Sequence, residues 1–143
     1  MEDLSCALFG LDLQREHVDT SREKTRDLLV AHGISRHDAE YLAMSWLQQG
    51  DFLLDEVPSG VDFVVGNPPY IRTEDLDDEV EAAYRSRWTT MRGRADIYIG
   101  FYERSLGLLR EEGRLGFICA DRWMRNAYGK HLRGLVASSY ATE

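Results

Sequence analysis

Along the chain, short apolar runs alternate with longer amphipathic stretches, the pattern of βα units that build a mostly parallel sheet. "CALFGLDL" (Cys6–Leu13) reads as a strand. The spacing of apolar residues over Arg15–His32 predicts a helix closed by Gly33. Ser35–Met44 predicts a shorter helix with Ser35 as N-cap and Asp38 three residues on. Met44–Phe52 carries a weaker strand signal, and "VDFVVG" (Val61–Gly66) a strong one. Beyond it, Thr73 is expected to cap a helix running to about Arg85. Its first turns carry Glu74, Asp75, Asp77 and Asp78, which suit the positive end of a helix. "TTMRGR" reads as a loop, and Asp96–Gly113 as a long helix with Gly113 as its stop signal. Arg114–Ala120 predicts a buried strand, and Asn126–Ser139 a closing helix. Four strands with helical crossovers give the expected fold class: α/β, doubly wound.

Length and composition narrow the class. At 143 residues, 43% hydrophobic and 29% charged, the chain reads as one soluble globular domain over 1–143. No apolar run approaches a membrane span and no signal-peptide pattern opens the sequence, so the expected setting is cytoplasmic, with no membrane partner. Cys6 and Cys119 are too few for a disulfide framework. His17, His32, His37 and His131 lack metal-like spacing, so no metal is expected.

Charge is unevenly spread within the net −8. Residues 1–83 hold 19 acidic and 6 basic side chains, whereas residues 84–133 hold 5 acidic and 11 basic. A basic segment of this kind either faces a polyanion or forms solvated helix faces, and the sequence leaves both open.

Chemistry concentrates in "FVVGNPPYIR" (Phe63–Arg72). In open parallel sheets ligands sit at the carboxyl ends of strands, which is where Asn67, Pro68, Pro69 and Tyr70 fall. Each proline restricts the residue before it to extended backbone and supplies no N–H. The corner is therefore stiff and presents an amide side chain, main-chain carbonyls and an aromatic ring. That set suits a planar group bearing –NH2. Acceptors take the amine hydrogens, and the ring offers a stacking face. An exocyclic amine is a poor nucleophile because its lone pair is delocalised. Holding its hydrogens so that the lone pair points outward, toward a sulfonium methyl, needs no covalent enzyme intermediate.

With these residues the sequence resembles the amino-methyltransferases that use S-adenosylmethionine. It is most similar to the TaqI-like DNA adenine-N6 branch of restriction–modification systems. The resemblance implies a Rossmann-like methyltransferase fold and the catalytic set Asn67, Pro68, Pro69 and Tyr70. It also implies a double-stranded DNA partner with base flipping. "LFGLDL" resembles the strand whose terminal acid, here Asp12, takes the cofactor ribose hydroxyls. "GDFLL" resembles the motif whose acid and aromatic, here Asp51 and Phe52, bind the cofactor adenine. "DIYIGFYERSLGLLREEGRLGFI" resembles the following helix and strand, with Phe101 packing on that adenine; Asn67 also borders the cofactor. Tyr98 and Tyr102 are read as packing residues, and Trp123 and Arg125 as loop anchors.

The resemblance further implies a glycine-rich loop about twenty residues before Asp12, on a central first strand between those ending at Asp12 and Asn67. The sequence begins eleven residues before Asp12 and carries neither that strand nor a target-recognition domain. The expectation is a partial catalytic domain whose two flanking strands are left unpaired or close on each other. Alone, it is expected to bind S-adenosylmethionine weakly or not at all. Two rival readings stand beside this one. "NPPYI" also occurs in glutamine-N5 methyltransferases, because a side-chain amide poses the same –NH2 problem. A domain without the cofactor loop also suits a non-catalytic docking remnant.

Overall fold

A computed structural model describes residues 2–141, which divide into a unit ending at Glu56 and a unit beginning at Val57. The first contains a short helix α1 (Glu2–Ser5), strand β1 (Gly10–Asp12), helices α2 (Arg15–Ala31) and α3 (Arg36–Trp46), and strand β2 (Leu47–Gln49). β1 and β2 pair in parallel, from Gly10 opposite Leu47 to Asp12 opposite Gln49. Val18, Ala39, Leu42, Ala43 and Leu53 form the buried interior of this unit.

Local signals explain most of these boundaries. α2 ends one residue short of His32, and Gly33 beyond it adopts φ +88°, where glycine meets no Cβ penalty. Ser35 caps α3: its Oγ accepts the Asp38 N–H at 3.1 Å and donates to the Asp38 carboxylate at 2.8 Å. The expected strand from Cys6 shortens to Gly10–Asp12, because the Leu4 carbonyl is claimed by the Ala7 N–H and by the Trp46 indole N–H at 2.7 Å. α3 runs through Trp46 and Leu47 adopts extended backbone, so β2 starts at Leu47 rather than Met44.

The second unit contains β3 (Val61–Gly66), a 3-10 turn at Thr73–Asp75, helices α4 (Asp78–Arg87) and α5 (Tyr98–Leu108), and β4 (Leu109–Phe117). A short helix α6 (Arg122–Arg125), a 3-10 turn at Ala127–Gly129 and helix α7 (Lys130–Ser139) complete it. β3 and β4 are parallel neighbours.

Three expectations are corrected here. Thr73 does not cap a helix running to Arg85: it is buried, its Oγ1 accepts from Arg85 at 3.0 Å, and α4 starts after Asp77. Gly113 does not stop a helix: α5 ends at Leu108, and the backbone enters β4 at Leu109. Val61 pairs with Leu109 and Phe63 with Arg114, so Arg110–Gly113 bulge opposite the single residue Asp62. Gly113 serves that bulge, since a Cβ there would meet the Arg110 and Val61 carbonyl oxygens at 2.9 and 3.1 Å. The closing helix starts at Lys130 rather than Asn126. The backbone of Gly129 runs against that of Trp123 so closely that no side chain fits between them.

The expected buried strand at Arg114–Ala120 is also one-sided. Paired residues of parallel strands share a face, and Val64, Leu115 and Phe117 are half-buried on one side of the β3–β4 pair. Phe63 and Val65 on the other side, and Ile118 just past β4, are exposed. All four expected strands form and both pairs are parallel. They make two two-stranded sheets, one in each unit.

Candidate active site

At the carboxyl end of β3 the corner is open to solvent. Asn67, Pro69 and Tyr70 are exposed, while Pro68 is buried and anchors the turn. The Tyr70 ring meets Tyr98 edge-on, with centroids 6.0 Å apart at 61°. Behind it the aromatic series continues from Tyr98 to Tyr102, and from Tyr102 to both Phe117 of β4 and the buried Trp123. Tyr98 is fully buried, and its hydroxyl pairs with that of Tyr128 at 2.9 Å. The Tyr102 hydroxyl lies 2.9 Å from the Cys119 sulfur. Burial, reinforced by these hydrogen bonds, raises both phenols well above their ordinary value of 10, so both are neutral donors at any physiological pH.

The chain leaving the corner is held by the backbone. Ile97 N–H donates to the Ile71 carbonyl, Thr73 N–H to that of Ala95, and Arg72 bridges Asp96 in antiparallel fashion. Two side chains then fix the loop before α5. The Arg85 guanidinium, paired with Glu81, donates to the Met91 and Gly93 carbonyls and to Thr73 Oγ1. The Glu103 carboxylate accepts four hydrogen bonds, from the amides and hydroxyls of Thr89 and Thr90, at 2.7–3.1 Å. "TTMRGR" is thus a loop, as its composition predicts, but one clamped from two sides.

In the first unit, Asp12 and Asp51 are brought to adjacent strand ends, because the Gly50 N–H donates to the Asp12 carbonyl at 3.0 Å. Asp12 Oδ1 accepts from the Gln14 N–H at 2.8 Å and faces His17 Nδ1 at 3.6 Å. Asp12 therefore shapes the entry to α2. Asp51 Oδ1 accepts from the Leu53 N–H at 2.7 Å, and the Asp51 N–H donates to Asp55 Oδ2 at the same distance. Phe52 is half-buried beside it. A Cβ at Gly50 would meet Asp55 Oδ2 at 2.6 Å, so a larger residue there would displace the Asp55 carboxylate. Phe101 belongs to the second unit, half-buried on α5.

Sequence reasoning missed Asp55, Arg85 and Glu103, and gave Tyr98 no role toward Tyr70. Tyr98 and Tyr102, four apart, share a helix face, and Glu81–Arg85 have the same spacing. Those two signals were legible. Nothing in the sequence ties Glu103 to Thr89 and Thr90.

Residues 4–142 match the family described as Eco57I restriction-modification methylase. The Type II methyltransferase M.PaeR7I of Pseudomonas aeruginosa is 49% identical over 98% of this chain and 24% of its own length. M.XhoI of Xanthomonas vasicola is 41% identical over 98% of this chain and 26% of its own. The restriction enzyme and methyltransferase RM.Eco57I of Escherichia coli is 34% identical over 54% of this chain and 8% of its own.

The class these proteins share is that of the restriction–modification methyltransferases. The chain belongs to the Eco57I restriction-modification methylase family. It spans about a quarter of the length of M.PaeR7I and M.XhoI. Among the described residues no helix is long and apolar enough to cross a membrane.

Proposed function

We propose that this chain carries catalytic-domain residues of a DNA adenine-N6 methyltransferase that uses S-adenosylmethionine. The observation that carries the reading is the exposed Asn67 and Tyr70 on a proline-stiffened corner at the carboxyl end of β3, backed by the buried Tyr98. The cofactor supplies an electrophilic methyl on a sulfonium. Asn67 Oδ1 and a main-chain carbonyl of the proline pair accept the two hydrogens of the adenine amine and turn its lone pair outward. With its lone pair so turned, the amine would take the methyl that the bound cofactor supplies, and its surplus proton would pass to water. Tyr70 holds the extruded base by stacking, which offsets part of the few kcal/mol that flipping costs.

The residues present fit the cofactor. Among the described residues Asp12 Oδ2 has no partner, which leaves an acceptor for a ribose hydroxyl at the end of β1. Asp51 and Phe52 lie at the neighbouring strand end, where the resemblance puts the cofactor adenine. In fold terms the proposal is of the Rossmann-like methyltransferase class, supported by the parallel sense of both strand pairs.

The test is transfer of labelled methyl groups from S-adenosylmethionine by the full-length protein, to duplex DNA and, separately, to a glutamine-bearing peptide. N6-methyladenine in the digested DNA is the expected product. Label in the peptide alone, or in neither, overturns the reading.

A further inference from the structure

Two clefts of the second unit share a wall. One, of about 470 Å³, is lined by Arg92, Arg94, Asn126, Tyr128 and His131 among others. Its neighbour, of about 320 Å³, is lined by Arg72, Arg94, Arg122, Asn126 and Tyr128, together with the acids Glu74 and Asp96. Because Arg94, Asn126 and Tyr128 border both, the two clefts form one groove. Four arginines face two carboxylates in it, within a protein whose net charge is −8.

The arginines are not equivalent. Arg94 is neutralised by Glu74, with Nε 3.0 Å from the carboxylate, and Arg92 Nε donates to the Thr89 carbonyl at 3.1 Å. Arg72 and Arg122 are exposed and hold no ion pair or side-chain hydrogen bond among the described residues. With Glu74 engaged by Arg94, the single carboxylate of Asp96 faces Arg72, Arg92 and Arg122 in the groove, an excess of positive charge that draws an anion.

The groove is built on rigid supports. The loop carrying Arg92 and Arg94 is fixed by Arg85 and by the four hydrogen bonds to Glu103. On the other wall the Tyr128 hydroxyl is held by that of Tyr98, whose ring packs edge-to-face with that of Tyr70. Arg72 stands two residues beyond Tyr70 in the chain. The groove therefore opens beside the corner that receives the base.

We propose that this groove holds the DNA sugar–phosphate backbone next to the extruded nucleotide. Arg72, Arg92 and Arg122 meet phosphate oxygens, and Asn126 and Tyr128 supply neutral hydrogen bonds. The proposal rests on the reading of the protein as a DNA methyltransferase and names where its substrate is gripped. Forked guanidinium donors with neutral amide and hydroxyl partners are the set that positions a nucleic-acid backbone without reading its sequence. Turning a base out requires its own backbone to be held on the enzyme side. The basic segment at 84–133 then has a location, since Arg92, Arg94 and Arg122 come from it.

The test measures duplex-DNA affinity of the full-length protein across a range of salt, by fluorescence anisotropy, for wild type and the paired variant Arg92→Ala/Arg122→Ala. Loss of two phosphate contacts should flatten the slope of log K against log salt by about 1.8. Target and unrelated duplexes should weaken by the same factor. The Lys pair, Arg92→Lys/Arg122→Lys, should keep most of the slope. Arg110→Ala, which removes one charge outside the groove, should leave the slope unchanged. An unaltered slope in the Ala pair, or an equal per-charge flattening by Arg110→Ala, overturns the proposal. Methyl transfer by wild type is read in parallel. If it fails on DNA while the Ala pair still flattens the slope, the methyltransferase reading falls and the phosphate groove stands. If methylation proceeds with the slope untouched, the groove alone is wrong.

Discussion

The ring of the half-exposed Tyr70 packs edge-to-face with that of the fully buried Tyr98, centroids 6.0 Å apart at an angle of 61°. An edge-to-face pair of this kind adds about 0.5–1.5 kcal/mol beyond burial, enough to bias the orientation of Tyr70 before any base arrives. Its hydroxyl makes only a long contact, 3.4 Å, to the Ile118 carbonyl. Tyr70→Phe should therefore keep near wild-type methyl transfer. Tyr70→Ala forfeits base stacking of roughly 1–3 kcal/mol, a loss of about 5- to 150-fold in single-turnover rate or DNA affinity. Equal losses in the two variants would assign the role to the hydroxyl instead.

Asn67 is exposed at the end of β3, with its amide available to a substrate. Asn67→Ala should lower the methyl-transfer step by about two orders of magnitude, near 3 kcal/mol, with cofactor binding nearly unchanged. Calorimetry with S-adenosylmethionine and single-turnover labelling separate the two effects. An alanine variant with wild-type turnover removes Asn67 from the chemistry.

Glu103 supports the loop rather than the reaction. Glu103→Ala strands the amides and hydroxyls of Thr89 and Thr90, and Thr90 is buried. With discount for the half-buried position of Glu103, the cost should be about 2 kcal/mol. It should appear as a lower urea midpoint and faster hydrogen exchange at the Thr90 amide. Glu103→Gln, which keeps acceptor capacity, should recover part of it. An unchanged midpoint in the Ala variant would mean that water replaces the carboxylate.

Tyr98 and Tyr102 both have folded-state pKa values raised above 10, by burial first and hydrogen bonding second. Above pH 10 the unfolded chain loses these two protons while the folded chain keeps them, so stability is intact below pH 10 and falls as pH rises beyond it. Tyrosinate absorbance should show Tyr98 and Tyr102 titrating only with unfolding. Tyr98→Phe should weaken the alkaline loss of stability. All seven tyrosines titrating together near pH 10 with the fold intact would contradict the buried stack.

Features decided by neighbours in the chain were legible from the sequence. Ser35 and Asp38 satisfy each other within one helical turn, Gly33 adopts the left-handed conformation its type allows, and Val61–Gly66 forms the strand its β-branched run predicts. Asn67–Tyr70 was legible for the same reason: two prolines stiffen a corner wherever the chain goes next.

Other features depended on partners distant in the chain, and only the tertiary structure decided them. The run from Asp96 to Gly113 has the apolar spacing of one helix, but pairing of Leu109 with Val61 ends that helix and turns Gly113 into a bulge residue. Thr73 has the hydroxyl of a cap, but Arg85, twelve residues on, takes it. Local composition made Arg92 and Arg122 solvated or polyanion-facing with equal reason, and did not single out Arg72. Folding brings them to one groove beside Tyr70, because a backbone hydrogen-bond network and two side-chain clamps draw separate segments together. A sequence states each residue's capacity to bond; which capacities are used is set by the groups that packing places within 3 Å.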